Sequence, residues 1–345
     1  MAAASPTLAA PDAGPSPGVW RLAWRRLRDD RAAMWALGIV AAFTLLVLAS
    51  AVGLVAADWQ REVGVPFANP VFLGATADES IRIERPDGPR LDLSAVDPLA
   101  PQYAQWDARA ALIQQHVVPH RATLPFGGDR LGRDVVAKAI KGAQVSILIG
   151  VFAALLAAAI GTLFGAVAGY FGGIAGDVLE WLYNVFTAVP GILLIFAFAA
   201  VLGRGTSTVV LILALTGWTA VYRQVRAEYL KHRVREYVRA AEAIGASHGS
   251  RMFVHILPNV SHVVLVQVSL LVVFFIKSEV ILSFLGLGVP IDSVSWGTML
   301  NEAQSELILG KWWQLAAATA LMAVFVTAFS VLTDALRDAL DPRLR

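Results

Sequence analysis

The sequence predicts an all-α integral membrane protein with six transmembrane helices and a small extracytoplasmic α+β segment between the first two. Of the 345 residues, 57% are hydrophobic and only 16% are charged, and the mean hydropathy is +0.62. Soluble domains carry about a quarter charged residues, so this balance indicates a chain that lies largely in lipid. A net charge of +2 gives no indication of nucleic-acid binding, and the absence of cysteine excludes disulfides and thiolate chemistry.

Six apolar runs are long enough to cross the hydrocarbon core, which takes about 20 residues of helix. They lie at 34–57, 146–170, 178–202, 205–222, 263–288 and 312–332. The first run is too long, and lies too far into the chain, for a cleaved signal peptide. We therefore expect it to stay in the membrane as the first transmembrane helix.

Basic residues in short segments predict the orientation, because they concentrate on the cytoplasmic side. Those before the first span are Arg21, Arg25, Arg26, Arg28 and Arg31. Those between the fourth and fifth spans are Arg223, Arg226, Lys231, Arg233, Arg235, Arg239 and Arg251. Both segments are expected in the cytoplasm, and with six spans both chain termini lie there too. The segment 58–143 is expected outside, since long segments cross the membrane largely regardless of their charge.

The predicted organisation is a cytoplasmic tail with a basic amphipathic segment, one anchoring helix, an outer segment, a helical core with a cytoplasmic loop, and a cytoplasmic tail. In that order the parts span 1–33, 34–57, 58–143, 144–333 with the loop at 223–262, and 334–345. The basic stretch from Trp20 to Arg31 is expected either as a helix on the inner membrane surface or as a plain topogenic charge cluster.

Within the outer segment, apolar residues alternate on both sides of residues 86–88, which predicts a β-hairpin. A helix is expected over 107–115. His116 and His120 have the i, i+4 spacing of a metal pair, but Pro119 between them disfavours the helical turn that would aim both at one ion. We therefore expect no metal site there.

Two features of the spans predict helix geometry. Glycine recurs every four residues in the second span, at Gly161, Gly165, Gly169 and Gly173. In lipid, such a ridge lets another helix approach closely. Pro190, midway along the third span, removes a backbone hydrogen bond and predicts a kink.

A polar hairpin is predicted between the fourth and fifth spans. Residues 235–244 are good helix formers, and Gly245 stands where a left-handed C-terminal cap belongs. Ser247 can cap a second short helix, and Pro258 predicts a break before the fifth span. The expected faces of the first helix are Tyr237, Ala241 and Ile244 on one side and Arg235, Arg239 and Glu242 on the other. Such a hairpin can fit a groove of a soluble partner or rest on lipid headgroups. Its amphipathic pattern favours neither interpretation over the other.

Enzyme signatures are absent from the sequence. It contains no G-x-x-x-x-G-K-[ST] phosphate loop, no H-E-x-x-H and no G-x-S-x-G. We therefore expect no catalytic residue, and a chain without a phosphate loop has no visible means of hydrolysing ATP.

The polar hairpin resembles the cytoplasmic EAA loop of ABC importer permeases, whose consensus is E-A-A, three residues, glycine, nine residues and I-x-L-P. The matching positions are Ala240, Ala241, Gly245, Leu257 and Pro258. Arg239 stands at the consensus glutamate and His255 at the consensus isoleucine. The resemblance implies that the loop couples the chain to an ATPase through these positions, together with Glu236, Tyr237 and Glu242.

Three further segments are similar to the dipeptide/oligopeptide/nickel branch of that family, and to its C-type subunit. They are 125–135 (PFGGDRLGRDV), 282–288 with 295–297 (LSFLGLG and SWG), and 334–343 (DALRDALDPR). The similarity runs from 125 to 343 and includes the first span. It implies the six-helix fold of a type I ABC importer permease in the bacterial inner (plasma) membrane.

The resemblance also implies partners. These are a paired permease subunit in a heterodimer, two ABC ATPase subunits or domains that bind ATP and Mg, and a periplasmic substrate-binding protein that meets the outer loops around Trp296 and 58–124. The chain would be a non-catalytic half of the translocation path and bind no cofactor itself.

Di- or oligopeptides are the expected cargo, with nickel chelates or other peptide-like solutes as the alternative. A secondary transporter is the rival class, but the spans offer few carboxylates for an ion relay.

Five residues within the spans are candidates for the translocation path or for the interface with the paired permease. They are Lys277, Glu279, Gly161, Gly165 and Gly169. Intramembrane charges are costly and usually face a cavity or a partner. Glu279 is therefore expected to face the translocation path or the second permease, or else to reach the lipid headgroups.

Overall fold

The computed structural model of the protein describes residues 19–75, 97–112 and 120–340. The chain divides into two compact units. The helical unit comprises the residues up to Ala57 and those from Ala137 onwards, and the outer unit comprises Asp58–Val136. The two units are described separately below.

The main described elements are eleven α-helices of eight residues or more, one three-residue helix, one π-helical segment and two strands. In chain order they are α1 (Val19–Asp29), α2 (Arg31–Ala51), β1 (Gly64–Pro70), α3 (Tyr103–Leu112), β2 (Arg121–Leu124), α4 (Val135–Phe171), α5 (Gly173–Ala188), α6 (Gly191–Leu202), α7 (Thr206–His232), α8 (Glu236–Ala243), α9 (His248–Ser250), a π-helical segment (Arg251–Ile256), α10 (Leu257–Phe284), α11 (Trp296–Ile308) and α12 (Trp313–Leu340).

Among the described residues, five helices are long and apolar enough to cross a membrane. They are α2, α4, α7, the continuous helix His248–Phe284, and α12. The bent pair of α5 and α6 makes six if it counts as one span. The predicted all-α membrane fold is confirmed, and the six predicted spans each correspond to one of these segments.

Several helices run past the ends of the predicted spans. α4 begins at Val135 rather than at 146, α7 ends at His232 rather than at 222, and α12 ends at Leu340 rather than at 332. Hydropathy detects the part of a helix that lies in lipid, whereas charged side chains do not end a helix. Residues 223–232 of the predicted loop and 334–340 of the predicted tail are therefore helical.

Pro190 breaks the third span rather than kinking it slightly. α5 ends at Ala188, α6 begins at Gly191, and the two axes meet at 89°. Val189 is extended (φ −97°, ψ 133°), as a residue before proline prefers to be. The carbonyl oxygen of Pro190 then accepts the first hydrogen bonds of α6. The kink predicted from this proline is confirmed in a stronger form.

Pro258, in contrast, does not interrupt the fifth span. The helix continues from α9 through the π-helical segment into α10, and Pro258 lies in the first turn of α10. The predicted break before the fifth span is therefore wrong, and a local change to π-helical pairing stands in its place.

α4 and α7 approach each other closely along a ridge of glycines. A Cβ atom added to Gly161 would lie 2.5 Å from the carbonyl oxygen of Trp218. A Cβ on Gly165 would lie 2.8 Å from the carbonyl oxygen of Tyr222, and Gly169 repeats the contact one turn further on. Real Cβ atoms essentially never come within 3.0 Å of such neighbours. The predicted close helix contact is confirmed, since only glycine leaves room for it.

The position of this ridge corrects two details of its prediction. Gly161, Gly165 and Gly169 face α7 of their own chain, so the face that they form is filled and is not open to a paired permease. Gly173 does not belong to the ridge. It opens α5 with φ +51°, and an added Cβ would meet no atom within 4 Å.

α1 and α2 lie against α12. Ala23 and Leu27 of α1 are buried, and Ala23 clusters with Ala339 and Leu340 at the end of α12. In α2, the ring of Phe43 packs on Phe325 with centroids 5.2 Å apart. The apolar side of α1 is thus covered by α12. In a helix that rests on lipid headgroups, this side would face the membrane instead.

The outer unit contains a two-stranded parallel sheet of β1 and β2, with Asn69 opposite Thr123. α3 begins at Tyr103, four residues before the predicted helix, and is described as far as Leu112. The predicted hairpin around 86–88 and the residues His116 and Pro119 lie outside the described residues. Sheet and helix together agree with the predicted α+β character of this segment.

The 125–135 segment of the outer unit is a tight turn around the buried Asp129. Its Oδ1 atom accepts the backbone N–H groups of Leu131 (2.9 Å) and Arg133 (3.0 Å), and Oδ2 pairs with the Arg133 guanidinium at 2.6 Å. Gly132 has φ +75°, and a Cβ there would lie 1.9 Å from the carbonyl oxygen of Gly64. The turn therefore needs both residues of the motif: Asp129 for its hydrogen bonds and Gly132 for its left-handed backbone and close contact.

The glycine ridge yields a stability prediction. Gly165→Val should overpack the α4–α7 contact and destabilise the purified protein by about 1–3 kcal/mol, because the nearest atoms belong to the backbone of α7 and cannot rotate away. Thermal unfolding in detergent measures this. Gly191→Val is the control, since a Cβ there meets no atom within 4 Å. Equal unfolding temperatures for the two variants would contradict the role of the ridge.

Candidate functional site

The polar hairpin (residues 233–258) begins with α8, whose C-terminus carries the predicted glycine cap. Gly245 has φ +86°. Its N–H donates to the carbonyl oxygen of Glu242 at 2.9 Å, and the N–H of Ala246 donates to that of Ala241 at 2.9 Å. These two bonds form a Schellman motif, which ends a helix sharply. Both the predicted helix and its left-handed cap are confirmed.

A second cap follows at once. Ser247 is extended, and its Oγ accepts the backbone N–H of Ser250 at 3.2 Å, as predicted for the N-cap of α9. The chain therefore turns within Gly245 to Ser247 and runs back through the π-helical segment, which packs against α8.

The buried face of α8 differs from the predicted one. Val238 and Ala241, three residues apart, are buried against the π-helical segment. Tyr237 is 37% exposed and Ile244 is 84% exposed. Ile244 leaves the expected face because it is the C-cap residue (φ −86°, ψ 7°), where the helical period has already ended.

Arg251 joins the two arms of the hairpin. Its side chain is largely buried, and Nη1 pairs with Oε1 of Glu242 on α8 at 2.7 Å. Nη2 lies 3.0 Å from Nδ1 of His248. Because a guanidinium can only donate, this imidazole nitrogen is placed as its acceptor. From the sequence, Arg251 was predicted only as a topogenic charge, since its partner Glu242 lies across the turn at Gly245.

The hairpin is also bound to the end of α4. The guanidinium carbon of Arg251 lies 5.8 Å from the centre of the Tyr170 ring, a cation–π distance. The Tyr170 hydroxyl lies 3.0 Å from Nδ1 of His248. Arg233 donates through Nη1 to the carbonyl oxygens of Gly169 and Tyr170, each at 3.4 Å, and so caps the last turn of α4.

The end of α7 holds the hairpin from the other side. The Tyr229 hydroxyl donates to the carbonyl oxygen of Met252 at 3.0 Å, and Nδ1 of His232 lies 2.7 Å from the hydroxyl of Tyr237. Burial raises the pKa of the Tyr237 hydroxyl above its usual value. The polar hairpin is therefore bonded to the ends of both α4 and α7.

The remaining predicted residues of the hairpin lie on its surface. Exposed are Glu236, Arg239, Ala240, Gly245 and Pro258, and half-buried are His255 and Leu257. Large apolar side chains are exposed beside them, namely Val234 (56%), Ile244 (84%), Phe253 (43%) and Val254 (64%). The surface of the hairpin thus combines charged and large apolar side chains.

Glu279 lies on α10 and is completely buried. The hydroxyls of Ser146 and Ser283 each donate to one of its carboxylate oxygens at 2.6 Å. The Ser146 hydroxyl in turn accepts the N–H of Trp296 at 3.2 Å, and the Ser283 hydroxyl accepts that of Val289 at 3.3 Å. Each hydroxyl thereby links the carboxylate to a backbone amide of the loop that follows α10.

This network explains the 282–288 and 295–297 motifs. A Cβ added to Gly288 would lie 2.6 Å from Cα of Ser283, and one added to Gly297 would lie 2.6 Å from the carbonyl oxygen of Val280. The loop is thus held at both ends against α10. The expectation that Glu279 faces the translocation path or a second permease is wrong, because its carboxylate is enclosed by serines of its own chain.

A second buried polar cluster holds the middle of α11. Lys138 of α4, 1% exposed, forms an ion pair with Glu302 of α11 and a 3.2 Å hydrogen bond with Oε1 of Gln314 on α12. The Gln314 amide nitrogen donates to Oε2 of Glu302 at 3.1 Å. Lys138 and Glu302 are 164 residues apart and leave no local sequence signal, so this cluster was not predicted. Lys277, in contrast, is exposed on α10.

The Glu279 network yields a second prediction. Glu279→Ala leaves two buried hydroxyls without their acceptor, at a cost of about 1–3 kcal/mol each, whereas Glu279→Gln retains an acceptor and should lose less than half of that. We expect faster hydrogen exchange at the amides of Val289 and Trp296 in the alanine variant. Mass-spectrometric hydrogen exchange measures it, and unchanged protection in the alanine variant would contradict the anchoring role.

Comparison with known families agrees with these features. The model of the family described as "Binding-protein-dependent transport system inner membrane component" matches residues 161–345. A second model, "N-terminal TM domain of oligopeptide transport permease C", matches residues 18–59. Together, the two family models match the first span and the core helices from residue 161 onwards.

Individual relatives cover most of the chain. It is 37% identical to the dipeptide transport system permease protein DppC of Bacillus subtilis over 69% of this chain and 74% of the relative. It is 35% identical to the oligopeptide transport system permease protein OppC of the same organism over 71% of this chain and 80% of the relative. The glutathione transport system permease protein GsiD of Pectobacterium atrosepticum is 37% identical, with 64% and 73% covered.

A solved structure described as an amino acid ABC transporter with histidines matches 58% of this chain and 93% of its own, with 16% identity and a TM-score of 0.43, a likeness too loose to define the fold. The family model, in contrast, covers more than half of the chain, and the apolar helices have the lengths that membrane spans require. The chain therefore belongs to the family of binding-protein-dependent transport system inner membrane components, as a multi-pass permease subunit of an ABC importer.

Proposed function

We propose that the polar hairpin is the element through which an ATPase subunit drives this permease. The observation that carries the proposal is the double attachment of the polar hairpin, to α4 through Arg251 and Arg233 and to α7 through Met252 and Tyr237. A force on α8 reaches two membrane-spanning helices at once. Because the glycine ridge keeps these helices in register, they respond as a pair.

ATP hydrolysis belongs to the partner in this proposal. The sequence holds no phosphate loop, so ATP and Mg bind to the ATPase subunits, and this chain supplies no catalytic residue. Closure of the ATPases would displace α8 and shift the spans between inward- and outward-facing states. A partner can shift such an equilibrium only if it binds the two states differently.

The surface of the hairpin indicates the chemistry of the ATPase groove. Arg239 is exposed at the middle of α8, and no described carboxylate pairs with it. Ile244 and Val254 expose apolar side chains at the ends of the two arms. A complementary groove would therefore hold a carboxylate opposite Arg239 and an apolar wall on each side.

Short peptides are the proposed cargo. Three of the relatives are named as permeases for dipeptides, oligopeptides and glutathione, which are all peptides or peptide-like molecules. The chain would form half of the translocation path in a heterodimer with a second permease subunit, fed by a periplasmic binding protein. Two ATPase subunits or domains complete the proposed assembly.

The coupling role predicts a defect confined to energy transfer. Gly245→Val should strain the left-handed cap by about 1–3 kcal/mol and move α8 relative to Arg251. In proteoliposomes containing the whole importer, we expect ATP hydrolysis to continue while transport per ATP falls. Gly249→Val is the matched control, since Gly249 has neither a left-handed φ nor an atom within 4 Å of an added Cβ. Normal transport by Gly245→Val would refute the coupling role.

The docking chemistry predicts a charge effect. Arg239→Glu should weaken retention of the ATPase subunits by about tenfold or more, because like charges would then face each other across the interface. Arg239→Lys keeps the charge and should retain them. Co-purification at low and high salt measures this, and the defect should shrink as salt screens the repulsion. Equal retention by the glutamate and lysine variants would show that no carboxylate faces Arg239.

A further inference from the structure

The elbow between α1 and α2 contains a cavity of about 330 Å³ that the transport function leaves unused. It is lined by Arg28, Arg31, Met34 and Trp35. Arg28 lies near the end of α1, and the other three lie on the first turns of α2, which is the first membrane span. The cavity is therefore at the cytoplasmic boundary of the membrane.

The charge around the cavity is net positive. The side chains of Arg28 and Arg31 are exposed, and neither forms an ion pair with a described residue. Residues 25–31 contain four arginines against two aspartates. Of these acids, Asp30 is engaged as the N-cap of α2, where Oδ1 accepts the N–H of Ala32 at 2.8 Å. Two guanidinium groups thus line the cavity, and positive charges in this segment exceed negative ones by two.

Below the arginines, the exposed strip of α2 becomes apolar. Trp35, 77% exposed, lies one turn deeper than Arg31, which is about 6 Å along the helix. Gly38 follows on the same strip and leaves open space, and Leu45 is 67% exposed further down. Tryptophan at this depth is typical of the membrane interface. The strip is therefore cationic at headgroup level, aromatic at the boundary and open within the hydrocarbon layer.

We propose that this elbow binds an anionic phospholipid, with its phosphate between Arg28 and Arg31 and its acyl chains along Trp35 and Gly38. Guanidinium groups bind phosphate oxygens through paired hydrogen bonds, and surplus positive charge favours phosphatidylglycerol or cardiolipin over zwitterionic lipid. A free phosphate would use the arginines alone and leave the apolar strip without a role. The opposite faces of α1 and α2 already pack on α12, so this side of the elbow faces away from the chain.

Native mass spectrometry of the whole importer tests the site, with phosphatidylglycerol and phosphatidylcholine added in turn. We expect one tightly retained phosphatidylglycerol, and about fivefold weaker retention for each of Arg28→Gln and Arg31→Gln. Arg25→Gln is the matched control. It removes the same charge from an exposed position on α1 that does not line the cavity, and should leave retention unchanged.

A second measurement locates the lipid. Brominated phosphatidylglycerol should quench part of the tryptophan fluorescence, and the Trp35→Phe variant should lose that part, whereas brominated phosphatidylcholine should not produce it. Three outcomes would overturn the proposal: equal loss of retention in Arg25→Gln, displacement of the lipid by inorganic phosphate, or absence of retained lipid from the assembled importer. The last would show that a partner subunit covers the elbow.

Discussion

The close backbone contact between α4 and α7 is the constraint on which the helical unit depends. Hydrophobicity does not hold helices together in lipid, so their association relies on packing, and three glycines permit it here. Only with α4 and α7 in this register can Arg233 reach the last carbonyl oxygens of α4. The same register places Tyr170 under Arg251. The polar hairpin is thus built on the glycine contact.

The two ends of the helical unit are rigid for different chemical reasons. At the cytoplasmic end, arginines bridge carbonyl oxygens, a carboxylate and an aromatic ring in a partly hydrated setting. At the outer end, Glu279 and Lys138 are fully enclosed, and each is satisfied by groups from neighbouring helices. A buried charge without partners costs several kcal/mol, so these outer contacts form together or not at all.

Local features of the sequence predicted local structure well. The caps at Gly245 and Ser247 and the break at Pro190 follow from backbone chemistry within a few residues, and the structure has all three. The partners of Glu279 and Arg251 did not follow, because they depend on which helices meet in space. The predicted ends of α4 and α7 were wrong because apolar residues indicate only the part of a helix that lies in lipid. Both helices continue beyond that part. Family motifs indicated where such contacts lie, but their physical reason came only from the structure.

The right-angle break at Pro190 has a consequence for solvent in the membrane. α5 and α6 contain 16 and 12 residues, or about 24 and 18 Å of helix, and neither alone spans a hydrocarbon layer of about 30 Å. Irregular backbone at membrane depth is stable only where protein or water satisfies its carbonyl groups. Val189 and Leu193 around the break are exposed in this chain. We therefore expect the backbone around the break to contact water or another subunit rather than lipid chains.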